Sequence, residues 1–306
     1  MKSEWKTSLH GGHSSGYCDH AHSTLREMLD AAVASEYYTF GVSEHIPRPS
    51  RFLYPNELKL GWTEAKIAAD FTQYTLDIDA LAREYAGRLT VLRGFEAEVV
   101  PGDDYVEMVQ SIGSLKLPDG TAAFDYFVGS VHYVLDYSID GEVPEFQQAV
   151  AAAGGLEALG ALYYQKVAEM AEALKPDVVG HLDLIKKRVR AGGYDLAALE
   201  TPAVHAAADH ALESVRSVGG ILDLNTAGWR KGLGEPYPSP RLVARANEIG
   251  IPFCFGDDSH STADVGAGIE AAREYLLENG VDTVTILTRE GNNFPGTVVR
   301  RTVPLM

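Results

Sequence analysis

Short runs rich in β-branched and aromatic residues alternate along this chain with longer segments whose apolar positions recur at helical spacing. Candidate strands are Leu9-His10, Thr39-Phe40-Gly41-Val42-Ser43, Leu92-Arg93-Gly94-Phe95 and Tyr126-Phe127-Val128-Gly129-Ser130-Val131. Three more follow at Val178-Val179-Gly180, Ile221-Leu222-Asp223-Leu224 and Pro252-Phe253-Cys254-Phe255. Helical patterns separate them over 24–35, 64–85, 156–174, 195–218, 239–249 and 262–279, and a last strand pair, 283–288 and 297–302, stands ready to close the carboxyl end. Such alternation predicts βαβ units and a mainly parallel sheet. Seven units with no low-complexity linker or internal repeat favour one closed or nearly closed barrel over two domains, although an open doubly wound sheet gives a similar pattern. The expectation is an α/β chain in which residues 1–306 form a single domain.

Composition narrows the function classes. Hydrophobic residues at 45% and charged residues at 23% exclude a disordered chain. The 43 acidic against 26 basic side chains give a formal charge of -17, which repels nucleic acid and anionic membranes. No apolar run approaches the ~18 residues of a membrane span, and the first ten residues contain no apolar core of a secretion signal. Cys18 and Cys254 build no disulfide framework and no CxxC pair. A cytoplasmic address is expected; the oligomeric state is not legible.

Parallel α/β barrels carry their chemistry at the carboxyl ends of the strands. Here those ends bear His10 and His13, Glu44-His45, Glu96-Ala97-Glu98, His132, His181-Leu182-Asp183 and Asp257-Asp258-Ser259-His260. A lone histidine at a strand end is ordinarily a surface or satisfied group. Six strand ends delivering imidazole or carboxylate to one face point instead to a metal centre, and that donor mix suits Zn, Fe or Mn better than Ca or Mg.

The ordered segments Leu9-His-Gly-Gly-His13, Cys18-Asp-His-Ala21, Ser43-Glu-His-Ile-Pro47 and Gly94-Phe-Glu-Ala-Glu98 open a longer pattern. It continues through Gly129-Ser-Val-His-Tyr133, Gly180-His-Leu-Asp-Leu-Ile-Lys-Lys187, Asn225-Thr-Ala-Gly228 and Gly256-Asp-Asp-Ser-His260. Together they resemble the PHP (polymerase and histidinol phosphatase) superfamily, on its monofunctional histidinol-phosphatase branch. The resemblance implies a distorted (β/α)7 TIM-like barrel with two to three divalent ions at the carboxyl face. Carried over, the first ion takes His10, His13, Glu96 and Asp258; the second shares Glu96 and adds His132 and His181; the third takes His20, His45 and His260. Glu96, Asp258 and His181 are the expected catalytic members. His22, His205 and His210 are left as ordinary residues.

One departure from the pattern concerns His10-Gly-Gly-His13, where the family has His-x-His. A spacing of three on a regular strand points the two rings to opposite faces. Gly11-Gly12 can absorb the extra residue in a bulge, which keeps both histidines as ligands. Glu98 can share the face of Glu96 as an outer partner, Glu44 should point away from His45, and Asp183 and Asp257 are expected to orient imidazoles. Cys18, close to His20, could bind a soft metal or pack as a small hydrophobe; Cys254 reads as core.

Two or three divalent ions lower the pKa of a bridging water toward ~7 and clamp phosphoryl oxygens as a P–O bond breaks. The implied activity is hydrolysis of L-histidinol phosphate to L-histidinol and phosphate by a metal-bridging hydroxide, without a covalent intermediate. Phosphate needs basic partners, and Lys187 and Arg230 are the chosen ones among Lys186-Lys-Arg-Val-Arg190, Arg230-Lys231 and Arg48. Asp103, Asp104, Tyr17 and Tyr137 stand in loops suited to the cationic leaving group. Alternatives are a PHP phosphoesterase acting on a nucleotide or another small phosphomonoester, and a metal-binding regulatory module without catalysis.

Overall fold

The protein is described here by a computed structural model covering residues 2–102, 104–292 and 294–306. Seven strands form from the apolar runs: β1 (Thr7–Gly12), β2 (Thr39–His45), β3 (Thr90–Val99), β4 (Val128–Val131), β5 (Val178–Val179), β6 (Ile221–Asn225) and β7 (Phe253–Ser259). They pair in parallel in that order, and β7 pairs back onto β1, so the barrel closes. Nearly every strand residue is buried, as expected for strands covered by side chains inside and helices outside. Leu9, Leu92, Tyr126, Val128, Val178, Ile221 and Cys254 fill the lower interior together with Leu287. The chain is an α/β TIM-like barrel.

The helices at Glu64–Tyr85 and Leu156–Leu174 cover the spans read from periodicity. Two others differ. The segment 195–218 splits into a 3-10 turn at Leu196–Leu199 and a helix at Pro202–Val218. Pro202 takes the first helical turn, where its missing N–H costs nothing, and the Thr201 side chain caps it by accepting from Val204 N. The segment 262–279 becomes helical only at Ile269, because Gly266 and Gly268 adopt φ of 78° and 85°.

The last two strands, β8 (Thr283–Arg289) and β9 (Val298–Pro304), form an antiparallel pair outside the barrel sheet. Thr39 Oγ1, at the start of β2, donates to Thr288 Oγ1 at 3.0 Å, and Leu287 joins the inner cluster. This hairpin therefore plugs the amino-terminal end of the barrel and leaves the carboxyl end for chemistry. There the long connections carry their own structure: a helix at Pro55–Lys59, a two-residue hairpin at Tyr133–Val134 and Tyr137–Ser138, and a helix at Val143–Ala153. Among the described residues no helix is long and apolar enough to cross a membrane.

Candidate metal centre

Glu96 is the hub of the carboxyl face. It stands on β3 at 1% exposure, and five imidazoles surround its two oxygens. Oε2 lies 3.3 Å from His13 Nε2, 3.2 Å from His45 Nδ1 and 3.6 Å from His10 Nε2. Oε1 lies 3.3 Å from both His132 Nε2 and His181 Nε2. Asp258 Oδ1 approaches His13 Nε2 at 3.6 Å and His260 Nδ1 at 3.9 Å. Two donors on one zinc-sized ion, each at 2.0–2.1 Å, are separated by ~3.2 Å, so these spacings match shared coordination.

The barrel strands must bend to bring His10 and His13 to one side. Ser8 pairs with Phe255, His10 with Gly256, and Gly12 with Ser259. β1 thus carries one extra residue before His10, and β7 carries one before Ser259. Leu9 can then join the inner apolar cluster while its neighbour His10 also turns inward. The sequence places this bulge at Gly11-Gly12; the structure puts the insertion one step earlier and adds a compensating one on β7. Gly12 has φ of 110°, and a Cβ there would lie 2.0 Å from the Ser259 carbonyl oxygen. His13 N donates to that same carbonyl at 2.8 Å. Within the cluster, His181 at 24° and Asp258 at 47° also adopt positive φ, a strain that functional sites commonly hold.

Carboxylates fix the rings from outside. Asp223 Oδ2 holds His10 Nδ1 at 2.8 Å, Asp140 Oδ1 holds His132 Nδ1 at 3.2 Å, and Asp19 Oδ1 holds His20 Nδ1 at 2.9 Å. The Asp258 carbonyl holds His260 Nδ1 at 3.1 Å. Each ring then offers its other nitrogen to the centre, the arrangement metal-binding histidines require. Asp183 and Asp257, expected in that role, do not take it. Asp257 follows the strand alternation and faces outward from Asp258, accepting from Tyr37 Oη at 2.6 Å and Gly266 N at 2.8 Å. Asp183 receives Ser239 N at 2.9 Å and Lys186 Nζ at 2.8 Å.

Glu44 turns away from His45, as read, and accepts both Ser14 N and Ser14 Oγ at 2.6 Å. Glu98 is fully buried between Arg48 and Tyr54, with His45 Nδ1 at 3.4 Å. Burial opposes its charge, yet His45 and Arg48 bring its pKa down to about 2. For Glu96, burial likewise opposes ionisation, and the surrounding rings, His10 first, hold it well below the usual carboxylate range.

The donor set fits divalent metal. His10 Nε2, both nitrogens of His13 and of His45, and His181 Nδ1 are buried without a hydrogen-bond partner in the protein. Unpartnered buried nitrogens are costly, and cations at the centre would take up one nitrogen each from His10, His13 and His45. Among the described residues, ligand-type atoms converge in four overlapping groups, namely His10-His13-Asp258, His10-Glu96-His181, His13-His45-Glu96 and Cys18-His20-His45-His260. His22, His205 and His210 line none of this.

A cavity of about 540 Å³ opens over the cluster, bounded by Tyr54, Asn56, Asp140, Glu142, Lys187, Arg188 and Lys231 beside the site histidines. Lys187 reaches it, with Nζ 2.6 Å from Asp140 Oδ2. Arg230 does not. Its guanidinium is spent on Thr226 Oγ1 at 2.9 Å, the carbonyls of Asp257 and Asp258, and Asp264 Oδ1 at 3.2 Å. The next residue, Lys231, faces the cavity instead, with no ion-pair partner among the described residues. Tyr17, Asp104 and Tyr137 are not on its wall, and Asp103 lies outside the described residues.

Residues 10–227 match the PHP domain family. The chain belongs to that family. Across 89% of this PHP chain and 94% of the relative, it is 36% identical to a Deinococcus radiodurans protein named "Probable histidinol-phosphatase". It is 28% identical to the histidinol-phosphatase of Saccharomyces cerevisiae over 88% of each chain. A crystal structure of a Listeria monocytogenes protein assigned as a histidinol phosphatase superposes with a TM-score of 0.72 at 27% identity, covering 87% of this chain and 99% of that one.

Proposed function

We propose that this PHP protein is a metal-dependent histidinol-phosphatase that hydrolyses L-histidinol phosphate to L-histidinol and phosphate. The observation that carries the reading is the convergence of five imidazoles on the single carboxylate of Glu96 beneath a cavity with a basic wall. The full-length relatives named for this activity support the substrate.

His10, His13, Glu96 and Asp258 would hold one ion, Glu96, His132 and His181 a second, and His20, His45 and His260 a third. The imidazole-rich set favours Zn, Fe or Mn. Divalent ions bound there supply water activation near neutral pH and neutralise phosphoryl charge as the ester breaks. The chain's own residues do the rest. Asp223, Asp140 and Asp19 keep the rings aimed, and Arg230 fixes the backbone of Asp257 and Asp258. Lys187, Arg188 and Lys231 receive the phosphate dianion. Burial and then the charge of Lys187 push the Lys231 ammonium below its ordinary value, and the substrate phosphate supplies the countercharge it lacks. On the same cavity, the exposed Glu142 carboxylate and the Tyr54 ring are available to the cationic leaving group. The catalytic trio expected from the sequence, Glu96, Asp258 and His181, stays in this reading.

A panel of phosphomonoesters tests the substrate. L-histidinol phosphate should show a kcat/KM at least about tenfold above a nucleoside monophosphate, since a site with matched polar groups rejects ligands lacking them. Turnover of the nucleotide with inertness toward histidinol phosphate overturns the substrate and leaves the phosphoesterase chemistry standing.

A further inference from the structure

The roles above leave Cys18 unused, although it borders the same cluster. It lies in the connection between β1 and the helix Leu25–Ala34 and is 4% exposed. Its Sγ is 3.3 Å from His20 Nδ1 and 3.6 Å from His20 Nε2, and one ligand atom each from Cys18, His20, His45 and His260 falls within 4.8 Å of the others. The Nδ1 atoms of His20 and His260 are occupied by Asp19 and the Asp258 carbonyl, which leaves both Nε2 atoms for this group. His45 brings two buried nitrogens with no hydrogen-bond partner. In a tetrahedral site with a metal–sulfur bond of about 2.3 Å and a metal–nitrogen bond of about 2.0 Å, sulfur and nitrogen stand ~3.5 Å apart. Ligand atoms gathered within 4.8 Å come onto one ion of that size by small rotations of the Cys18 and His20 side chains, whereas a packed hydrophobic cysteine has no reason to meet three converging imidazoles.

We infer that Cys18 supplies a thiolate to the ion held by His20, His45 and His260, making this a soft position of one sulfur and three nitrogens within a centre otherwise built from nitrogen and oxygen. The inference rests on the metal-centre reading above. On binding, the Cys18 S–H bond breaks, its proton leaves to solvent and the sulfur lone pair forms the bond to metal; no oxidation state changes. Thiolate and imidazole together select Zn, Co or Cd over Mn or Mg at this position. Cys254 cannot substitute for Cys18, because it packs in the lower barrel among Leu9, Leu92 and Ile221.

Cobalt(II)-loaded full-length protein provides the test. A near-ultraviolet thiolate-to-cobalt charge-transfer band is expected in the native protein and in Cys254→Ser, and is expected to vanish in Cys18→Ser. If Cys18→Ser fails to fold, X-ray absorption on the zinc-loaded native protein replaces it and should show a sulfur neighbour at about 2.3 Å. Native protein holding two or more ions per chain with neither band nor sulfur neighbour overturns the role of Cys18 and spares the metal centre. Protein that binds no metal overturns both.

Discussion

Asp223 on β6 ties together two histidines, His10 on β1 and His181 just after β5. One oxygen takes His10 Nδ1 at 2.8 Å and the other takes the His181 backbone N–H at 2.5 Å. The same carboxylate also receives Asn225 Nδ2 at 3.0 Å, so three donors converge on it. Asp223→Asn keeps the volume but offers an N–H where an acceptor is needed. It should lower metal affinity or turnover about 10- to 100-fold, as lost outer partners of metal-binding histidines do. Chelator titration of the variant alongside its kcat checks this; native affinity and kcat would remove Asp223 from the account.

Lys231 and Arg230 are neighbours with different work. Lys231→Ala should raise KM for the phosphate ester about tenfold with a smaller effect on kcat, the size expected for one hydrogen bond to a charged group. Arg230→Ala should instead lower kcat and the metal content, because it releases the carbonyls of Asp257 and Asp258. Steady-state kinetics with metal analysis on both variants separates the two roles.

Gly12 marks where the backbone cannot accept a side chain. Gly12→Ala adds a Cβ 2.0 Å from a backbone oxygen at φ of 110°, and should destabilise the fold by at least about 1–3 kcal/mol. Gly16→Ala, which meets nothing within 4 Å, should change stability by less than about 0.5 kcal/mol. Denaturant midpoints of the two variants make the comparison.

Proton release should accompany metal loading. Burial opposes charge on His10, but the Glu96 and Asp223 carboxylates outweigh it and raise its pKa to about 10 in the metal-free protein. A raised histidine stabilises the metal-free fold fully below its unfolded value near ~6.5, and this contribution fades as pH rises through about 10. At neutral pH the ring is therefore protonated before loading, and an ion must displace that proton. An indicator dye in weak buffer should record acidification on metal addition, and metal affinity should rise with pH. Affinity independent of pH would contradict the assignment of His10.

The seven strands and the polar residues at their ends were legible because burial on both faces writes apolar runs and strand ends deliver side chains to one rim. The orienting carboxylates were not. Asp223 is 213 residues from His10, so only the closed barrel brings them together. Asp257 resembled a partner because it adjoins Asp258, yet alternation along β7 turns it outward to Tyr37. Arg230 and Lys231 could not be ranked from spacing, since the short helix Ala227–Arg230 decides which of them faces the cavity. A bulge in β1 is legible in Gly11-Gly12, but its place before His10 and its compensation on β7 depend on pairing that no local pattern records.

The most direct measurement is phosphate release from L-histidinol phosphate by the same preparation before metal removal, after chelation, and after reconstitution with Zn, Fe or Mn, with metal counted at each stage. Activity should fall to background in stripped protein and return with two to three ions per chain, and Glu96→Gln should recover neither ions nor turnover. Full activity in metal-free protein would contradict the account.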